Sequence, residues 1–356
     1  MAAIAMTPCG DFRESYRADT TIFPTRLSRA FAIAGIAALC LVPLTGDRYV
    51  LSLMIQIGYL GIAALGLNIL VGFTGQISIG HAAFFGVGAF ASAWFVEHGA
   101  PVLAAIPLAG LATTAVGMVF GIPAARLKGL YLAIATLAAQ FILEDFFARA
   151  QWFTGGVAGR VTLRPSLFGY SFDTDEAYFY VVLAWVALSF LAAANLMRTR
   201  DGRALVAVRD HYLSAEIMGI NLTYYRTLSF GISSFFAGIG GALYAHYLLF
   251  VSVEAFTILF SIQFLGMIII GGLGSVMGSM MGSAFMVLLP EVVQGFADAL
   301  AGGMIDRALG LGNAVSFLRE MAIGAAIILF LIFEPDGLAH RWRLIKAYWK
   351  LYPFAH

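Results

Sequence analysis

Apolar runs long enough to cross the hydrocarbon core of a bilayer recur along this chain, broken only by glycine, proline and short charged clusters, and no other feature limits its fold so strongly. A stretch of roughly 18 or more apolar residues is long enough for a spanning helix. Read against those breaks, apolar continuity predicts spans near residues 30 to 45, 49 to 71, 80 to 96, 102 to 122, 129 to 147, 178 to 197, 227 to 250, 257 to 271, 276 to 290 and 318 to 333. The expectation is an all-α polytopic membrane protein of about ten transmembrane helices, the shorter ones tilted, broken or partly re-entrant.

Residues AVILMFWYC make up 61% of the 356 positions and Asp, Glu, Lys and Arg only 12%, too few polar groups to cover a soluble surface. The net charge of +1 gives no basic excess that suggests nucleic acid. Cys9 and Cys40 form neither a disulfide framework nor a metal motif. Residues 1 to 29 carry mixed charges rather than the short basic start of a cleavable signal, so the first span should be retained.

The charges that exist report topology. With the amino terminus inside, fifteen of the 21 Lys and Arg fall in cytoplasmic segments and six outside, which favours both termini in the cytoplasm. The chain then divides into a cytoplasmic tail (1–29), a membrane domain (30–333) with a long inner loop at 198–226, and a cytoplasmic carboxyl tail (334–356). Loops at 148–177 and 291–317 lie outside, and none of the three is large enough for a catalytic domain.

Two Gly-rich turns lead into helices rich in small residues: GFTGQISIGHAAFFGVGAF from Gly72 and GGLGSVMGSMMGSAF from Gly271. Both enter from the cytoplasmic side, which hints at a parallel internal duplication. Gly274, Gly278 and Gly282 fall at i, i+4 and i+8, one smooth helix face suited to close packing or to lining a translocation path. Gly117 and Gly121 repeat the spacing once.

Polar side chains at membrane depth mark pathways or interhelical bonds, and here they are Gln56, Asn68, Gln76, Ser78, His81, Gln140, His246 and Gln263. His81 follows Gly80 at a helix start beside Gln76 and Ser78, where it either caps free backbone groups or faces a path. A lone histidine makes no metal site. No span centres a carboxylate of the kind that ion-coupled carriers use, which counts against a secondary transporter, and no convergent Asp, His and Arg suggests a membrane enzyme. No GxxxxGK[ST] loop occurs, so nucleotide hydrolysis would have to come from another subunit.

In the inner loop, Ala204, Val208, Leu213, Ile217 and Ile220 alternate with Arg203, Arg209, Asp210 and Glu216 at helical spacing. This predicts an amphipathic helix or helix pair outside the bilayer, either resting on headgroups or seated in a partner's groove.

Taken with RLKGLYLAIATLAAQFIL (126–143), FTGGVAGR (153–160), RALVAVRDHYLSAEIMGINLTYYR (203–226), GGLGSVMGSMMGSAFMVLLPE (271–291) and FEPDGL (333–338), the first Gly-rich segment resembles the permease subunits of branched-chain amino-acid ABC importers, the longer of two paralogues. The resemblance covers residues 50 to 340. It implies that AEIMG, Ala215 to Gly219, matches the coupling pattern that docks on an ATPase, with Arg203, Arg209 and Asp210 alongside. It further implies a sister permease, two ATP-binding subunits that use the ATP, and a periplasmic binding protein meeting the outer loop at Trp152, Gly155 and Gly156. No cofactor is expected on this chain. Residence in a bacterial inner membrane follows from the same resemblance, as does a hydrophobic amino acid as cargo, with urea, short amides or aromatic acids as the alternatives known for similar permeases.

Overall fold

The computed structural model describes residues 26–45, 47–127, 129–167, 170–300 and 311–351. The amino-terminal tail through residue 25, with Cys9, residues 301–310 of the loop expected outside and residues 352–356 lie outside the described residues.

Thirteen helices organise the described chain: α1 (Arg26–Leu41), α2 (Arg48–Asn68), α3 (His81–Glu97), α4 (Val102–Ala124), α5 (Leu130–Arg149), α6 (Asp175–Arg198), α7 (Arg200–Asp210), α8 (Tyr212–Ile217), α9 (Leu222–Leu248), α10 (Ile258–Gly271), α11 (Val276–Leu300), α12 (Leu311–Phe333) and α13 (Gly337–Leu351), besides single helical turns. Their starts are written into the local sequence. Asp47, Thr174, Thr199 and Asn221 accept hydrogen bonds from the Tyr49, Ala177, Gly202 and Tyr224 backbone N–H groups at the heads of α2, α6, α7 and α9. Asp175 and Glu176 add negative charge to the first turn of α6, where the helix dipole favours it.

Among the described residues, seven segments are long and apolar enough to cross a membrane: Arg48–Phe73, Val102–Ala124, Leu130–Arg149, Asp175–Arg198, Leu222–Leu248, Val253–Gly271 and Val276–Asp298. This is a multi-pass helical membrane protein. The helix expected at 80 to 96 forms as α3, 17 residues long, and is enclosed by its neighbours over most of its length. The outer loop expected from residue 291 does not begin there. Helix α11 runs through Pro290 to Leu300, and α12 resumes at Leu311 rather than 318. Glu291 and Asp298 end the apolar run, but a helix needs only its own backbone bonds, and these continue past the charges.

Helices α2 and α9 form the centre, with α3, α4, α10 and α11 around them. Glycine sets how closely they pack. A Cβ on Gly88 of α3 would lie 2.3 Å from the Gly238 Cα of α9, and one on Gly241 would lie 2.0 Å from the Phe85 carbonyl oxygen. Gly117 and Gly121 of α4 seat Ser234 and Phe230 of α9 in the same way. With no hydrophobic drive between helices in lipid, such small-residue contacts gain dispersion by bringing backbones together. Around this seam Tyr59, Phe85, Tyr244, Phe256, Phe260 and Phe264 pack ring against ring, with centroids 4.7 to 6.5 Å apart.

Two small antiparallel strand pairs, not anticipated from the sequence, close the face opposite α7 and α8. Strand β1 (Arg160–Val161) pairs with β4 (Phe250–Val251), and β2 (Ser166–Leu167) with β3 (Tyr170–Ser171). His246 helps fix this region. A carbonyl can only accept, so Nδ1 donates to the Leu163 oxygen (2.7 Å), leaving Nε2 to accept from the Ser92 hydroxyl (2.7 Å).

Candidate functional site

The segment between α6 and α9 folds as a helix pair. Helix α7 buries Gly202, Ala204, Leu205 and Val208 against the bundle, so half of the predicted apolar face is internal. The chain turns at His211, and α8 presents the other half outward. Ile217 is 85% exposed and Met218 82%, with Leu213, Glu216 and Gly219 also exposed and Ala215 buried beneath them. Gly219 ends α8 with φ +87°, its N–H donating to the Glu216 carbonyl while the Ile220 N–H reaches back to Ala215. That left-handed stop is why a glycine follows the acidic residue in AEIMG.

Arg209, the last basic residue of α7, reaches from this pair into the bundle. Its guanidinium donates to the Gly72 carbonyl oxygen at 2.6 Å and, through Nε, to the neighbouring Asp210 carboxylate at 2.8 Å. The Gly72 carbonyl is available because α2 ends in a π-helical turn, Ile69–Phe73, which interrupts the ordinary ladder. Gly75 and Gly274 both lie under the Arg209 side chain, where an added Cβ would come 3.0 and 3.1 Å from it. Arg203 donates to the Arg198 carbonyl, and the Asp201 carboxylate accepts from the Tyr225 hydroxyl, tying the pair to α6 and α9.

The two Gly-rich turns, some two hundred residues apart in the chain, meet here. Asn68 joins them. Its Oδ1 accepts from the Gly274 N–H (2.8 Å), while Nδ2 donates to the Ser275 carbonyl (2.8 Å) and the Ser279 hydroxyl (2.9 Å). Both donor and acceptor ends of this buried amide are satisfied, as burial at membrane depth demands.

Gly274 is not on the helix face that its spacing suggested. It sits in the turn before α11 with φ +73°, a conformation that costs a residue with a side chain about 1 kcal/mol or more. Gly278 and Gly282 do lie on α11, stacked on α10. A Cβ on Gly278 would be 2.7 Å from the Gly271 carbonyl oxygen, and one on Gly282 1.7 Å from that of Met267.

Gln76, Ser78 and His81 are all buried. Gln76 donates to the Ser229 hydroxyl of α9 at 2.6 Å. The His81 Nε2 donates to the Ala63 carbonyl of α2 at 2.9 Å, which fixes the tautomer, and its ring meets Phe264 edge on at 5.3 Å. Helix α3 itself starts at Gly80, which has no capping side chain, because the Thr136 carbonyl lies where one would go, 2.4 Å from an ideal Cβ. Its free N–H groups are capped from elsewhere: Ala82 by the Ser261 hydroxyl (2.9 Å) and Ala83 by the Gln140 Oε1 (3.0 Å). Gln140 also donates to the Phe256 carbonyl (2.7 Å) and the Glu144 carboxylate (2.8 Å).

On the opposite face, Trp152 lies in the single turn Gln151–Thr154 and is 69% exposed. Gly155 and Gly156 make the left-handed reversal after it, and Arg160 clamps the loop by donating to the Trp152 carbonyl (3.2 Å) and pairing with Glu97 (2.7 Å).

A glycine-packed helical bundle crossing the membrane many times, with a helix pair outside the lipid bonded to its turns, is the architecture of a membrane transport subunit. Residues 49–332 match the family described as the permease component of branched-chain amino acid transport systems, and the chain belongs to that family, one of transport subunits rather than enzymes. It is 30% identical over 302 residues to the high-affinity branched-chain amino acid transport system permease protein LivM of Salmonella typhimurium, covering 78% of this chain and 67% of that one. It is 29% identical over 319 residues, 81% of this chain and 88% of the relative, to a probable branched-chain amino acid transport permease protein LivM of Methanocaldococcus jannaschii. A guanosine ABC transporter permease protein of Bacillus subtilis is 30% identical over 190 residues, 48% of this chain and 59% of its own. No solved structure matches.

Proposed function

We propose that this chain is the membrane-spanning permease of an ATP-driven importer that carries branched-chain or other hydrophobic amino acids across a bacterial inner membrane. It catalyses no reaction itself. In this reading both termini are cytoplasmic, the three apolar helices α1, α3 and α12 complete a ten-span domain, and a sister permease, two ATPase subunits and a periplasmic binding protein complete the complex.

The exposed tip of α8 carries the reading. Ile217 and Met218, almost fully exposed beside Glu216, are apolar side chains that solvent does not favour, at the end of a helix pair that is bonded through Arg209 to the end of α2 and overlies the turn before α11. A partner seated on that tip would move the spans as rigid bodies. Trp152 and its glycine turn offer the corresponding contact for the binding protein on the outer face.

The cargo rests on the two LivM relatives, whose likeness spans most of this chain, whereas that to the guanosine permease spans 48%. Expression of this chain with its ATPase, sister permease and binding-protein partners, followed by reconstitution, tests the reading. ATP-dependent uptake of labelled leucine, isoleucine or valine is expected. Accumulation by this chain alone in ATP-free vesicles under an ion gradient would replace it with a secondary carrier, and uptake of guanosine or urea in place of leucine would reassign the cargo.

A further inference from the structure

Helix α13 leaves the membrane domain through the turn Glu334–Gly337 and carries the sequence GLAHRWRLIKAYWKL. Two stripes run along it. Trp342, Ile345 and Trp349 fall at i, i+3 and i+7, and Arg343, Lys346 and Lys350 repeat that spacing one position on. Trp342 is 52% exposed and Ile345 51%, and Tyr348 beside them 60%, so these apolar and aromatic side chains stand open on the helix surface. The nearby acids are engaged on the helix's own first turns: Glu334 with Arg341, and Asp336 beside His340 at 3.8 Å. Arg343, Lys346 and Lys350 fall at basic positions along one side.

An apolar-aromatic stripe flanked by a basic one, directly after a helix whose last residues Leu331, Ile332 and Phe333 are exposed apolar side chains, places α13 at headgroup depth. Clusters of four or more Lys and Arg beside a span have the charge complement of anionic phospholipid. Trp342 and Tyr348 are the ring types that settle at that interface.

We infer that α13 is an interfacial helix that binds the anionic surface of the leaflet it emerges into, with Trp342 and Ile345 in the acyl boundary and Arg343 and Lys346 on lipid phosphates. The contact also reaches the site described above. Gly337, with φ +73°, rests on the α10–α11 turn so closely that a Cβ would lie 2.5 Å from the Gly272 Cα, and Ala339 is buried there. The same turn is held by Asn68 and overlaid by Arg209, so a lipid grip on α13 restrains the turn that the α7–α8 pair touches. Assignment of that leaflet to the cytoplasmic side rests on the proposed topology. The lipid contact does not.

The test uses the full chain with Cys9→Ala, Cys40→Ala and Ile345→Cys, labelled at residue 345 with a polarity-sensitive fluorophore. It is reconstituted in phosphatidylcholine vesicles and in an equal mixture of phosphatidylcholine and phosphatidylglycerol. The label should be blue-shifted and shielded from an aqueous quencher in the mixture, and return to water in phosphatidylcholine alone. Each basic residue near an anionic surface contributes about fivefold in binding, so Arg343→Gln with Lys346→Gln should weaken shielding about 25-fold. A label equally wetted in both vesicles, or equally shielded in both and in the double variant, overturns the inference, as does shielding that appears only when partner subunits are added. An impermeant quencher applied to sealed and opened vesicles reports the side separately, so an outward label would sink the topology and leave the lipid contact standing.

Discussion

Arg209 and Gly72 stand 137 residues apart in the chain and 2.6 Å apart in the fold, joined by a guanidinium hydrogen bond to a carbonyl that a π-turn has freed. Through it, the only stretch of the described chain built as a helix pair outside the spans touches the end of the most central one.

Arg209→Ala should therefore uncouple the pair from the bundle. A hydrogen bond to a charged group contributes about 1.5–3 kcal/mol, so uptake by the assembled transporter should fall about tenfold or more, with size-exclusion behaviour retained. Arg209→Lys should recover little of it, since a single ammonium does not hold Gly72 and Asp210 in one plane. Uptake at the parental level in both variants would remove the link.

Glu216→Ala and Gly219→Ala test the proposed docking role of the α8 tip. Gly219 has open space around an added Cβ, so only its left-handed backbone resists alanine, at about 1–2 kcal/mol. Membrane insertion should be intact, while transport and substrate-stimulated ATP hydrolysis drop. Unchanged coupling in both variants would move the docking surface elsewhere.

Gly282→Ala should fail where Gly324→Ala succeeds. The first places a Cβ 1.7 Å from a backbone oxygen that cannot swing aside, whereas Gly324 on α12 has nothing within 4 Å. Loss of monodisperse protein is expected for Gly282→Ala, and for Gly324→Ala an unchanged or slightly raised melting temperature, as helix propensity favours alanine by about 1 kcal/mol. Normal folding of Gly282→Ala would show that α10 and α11 are free to separate.

Gln140→Leu removes the acceptor that caps α3 and leaves the Ala83 N–H and Phe256 carbonyl without their partner. Each unsatisfied buried group costs about 1–3 kcal/mol, so the detergent-solubilised protein should melt several degrees lower. His81→Phe loses one hydrogen bond but keeps the ring contact with Phe264, and should cost less.

Helix positions were legible because membrane-depth segments must be both apolar and helical, so one signal reports both properties. The helix pair was legible too, but its faces were not. Ala204 and Ile217 share an apolar periodicity, and only the break at His211 sends one inward and the other out. Gly274 carried helical spacing with its neighbours because spacing cannot reveal a left-handed φ. The extension of α11 past Pro290 was hidden behind charge, which breaks apolar continuity without breaking a helix. Asn68 and Arg209 each stand out in the sequence as single polar residues. That they meet at one pair of turns is a long-range relation, and a single sequence carries no local trace of it.

Where Gly88 of α3 faces Gly238 of α9, main chain lies directly on main chain, with no side chain between to roll or flex. Two cylinders in such contact have no bearing surface, and can travel only as one strut. Any alternation between outward and inward openings must then hinge at the outer helices that swing around this strut, and cross-linking α3 to α9 should leave transport running.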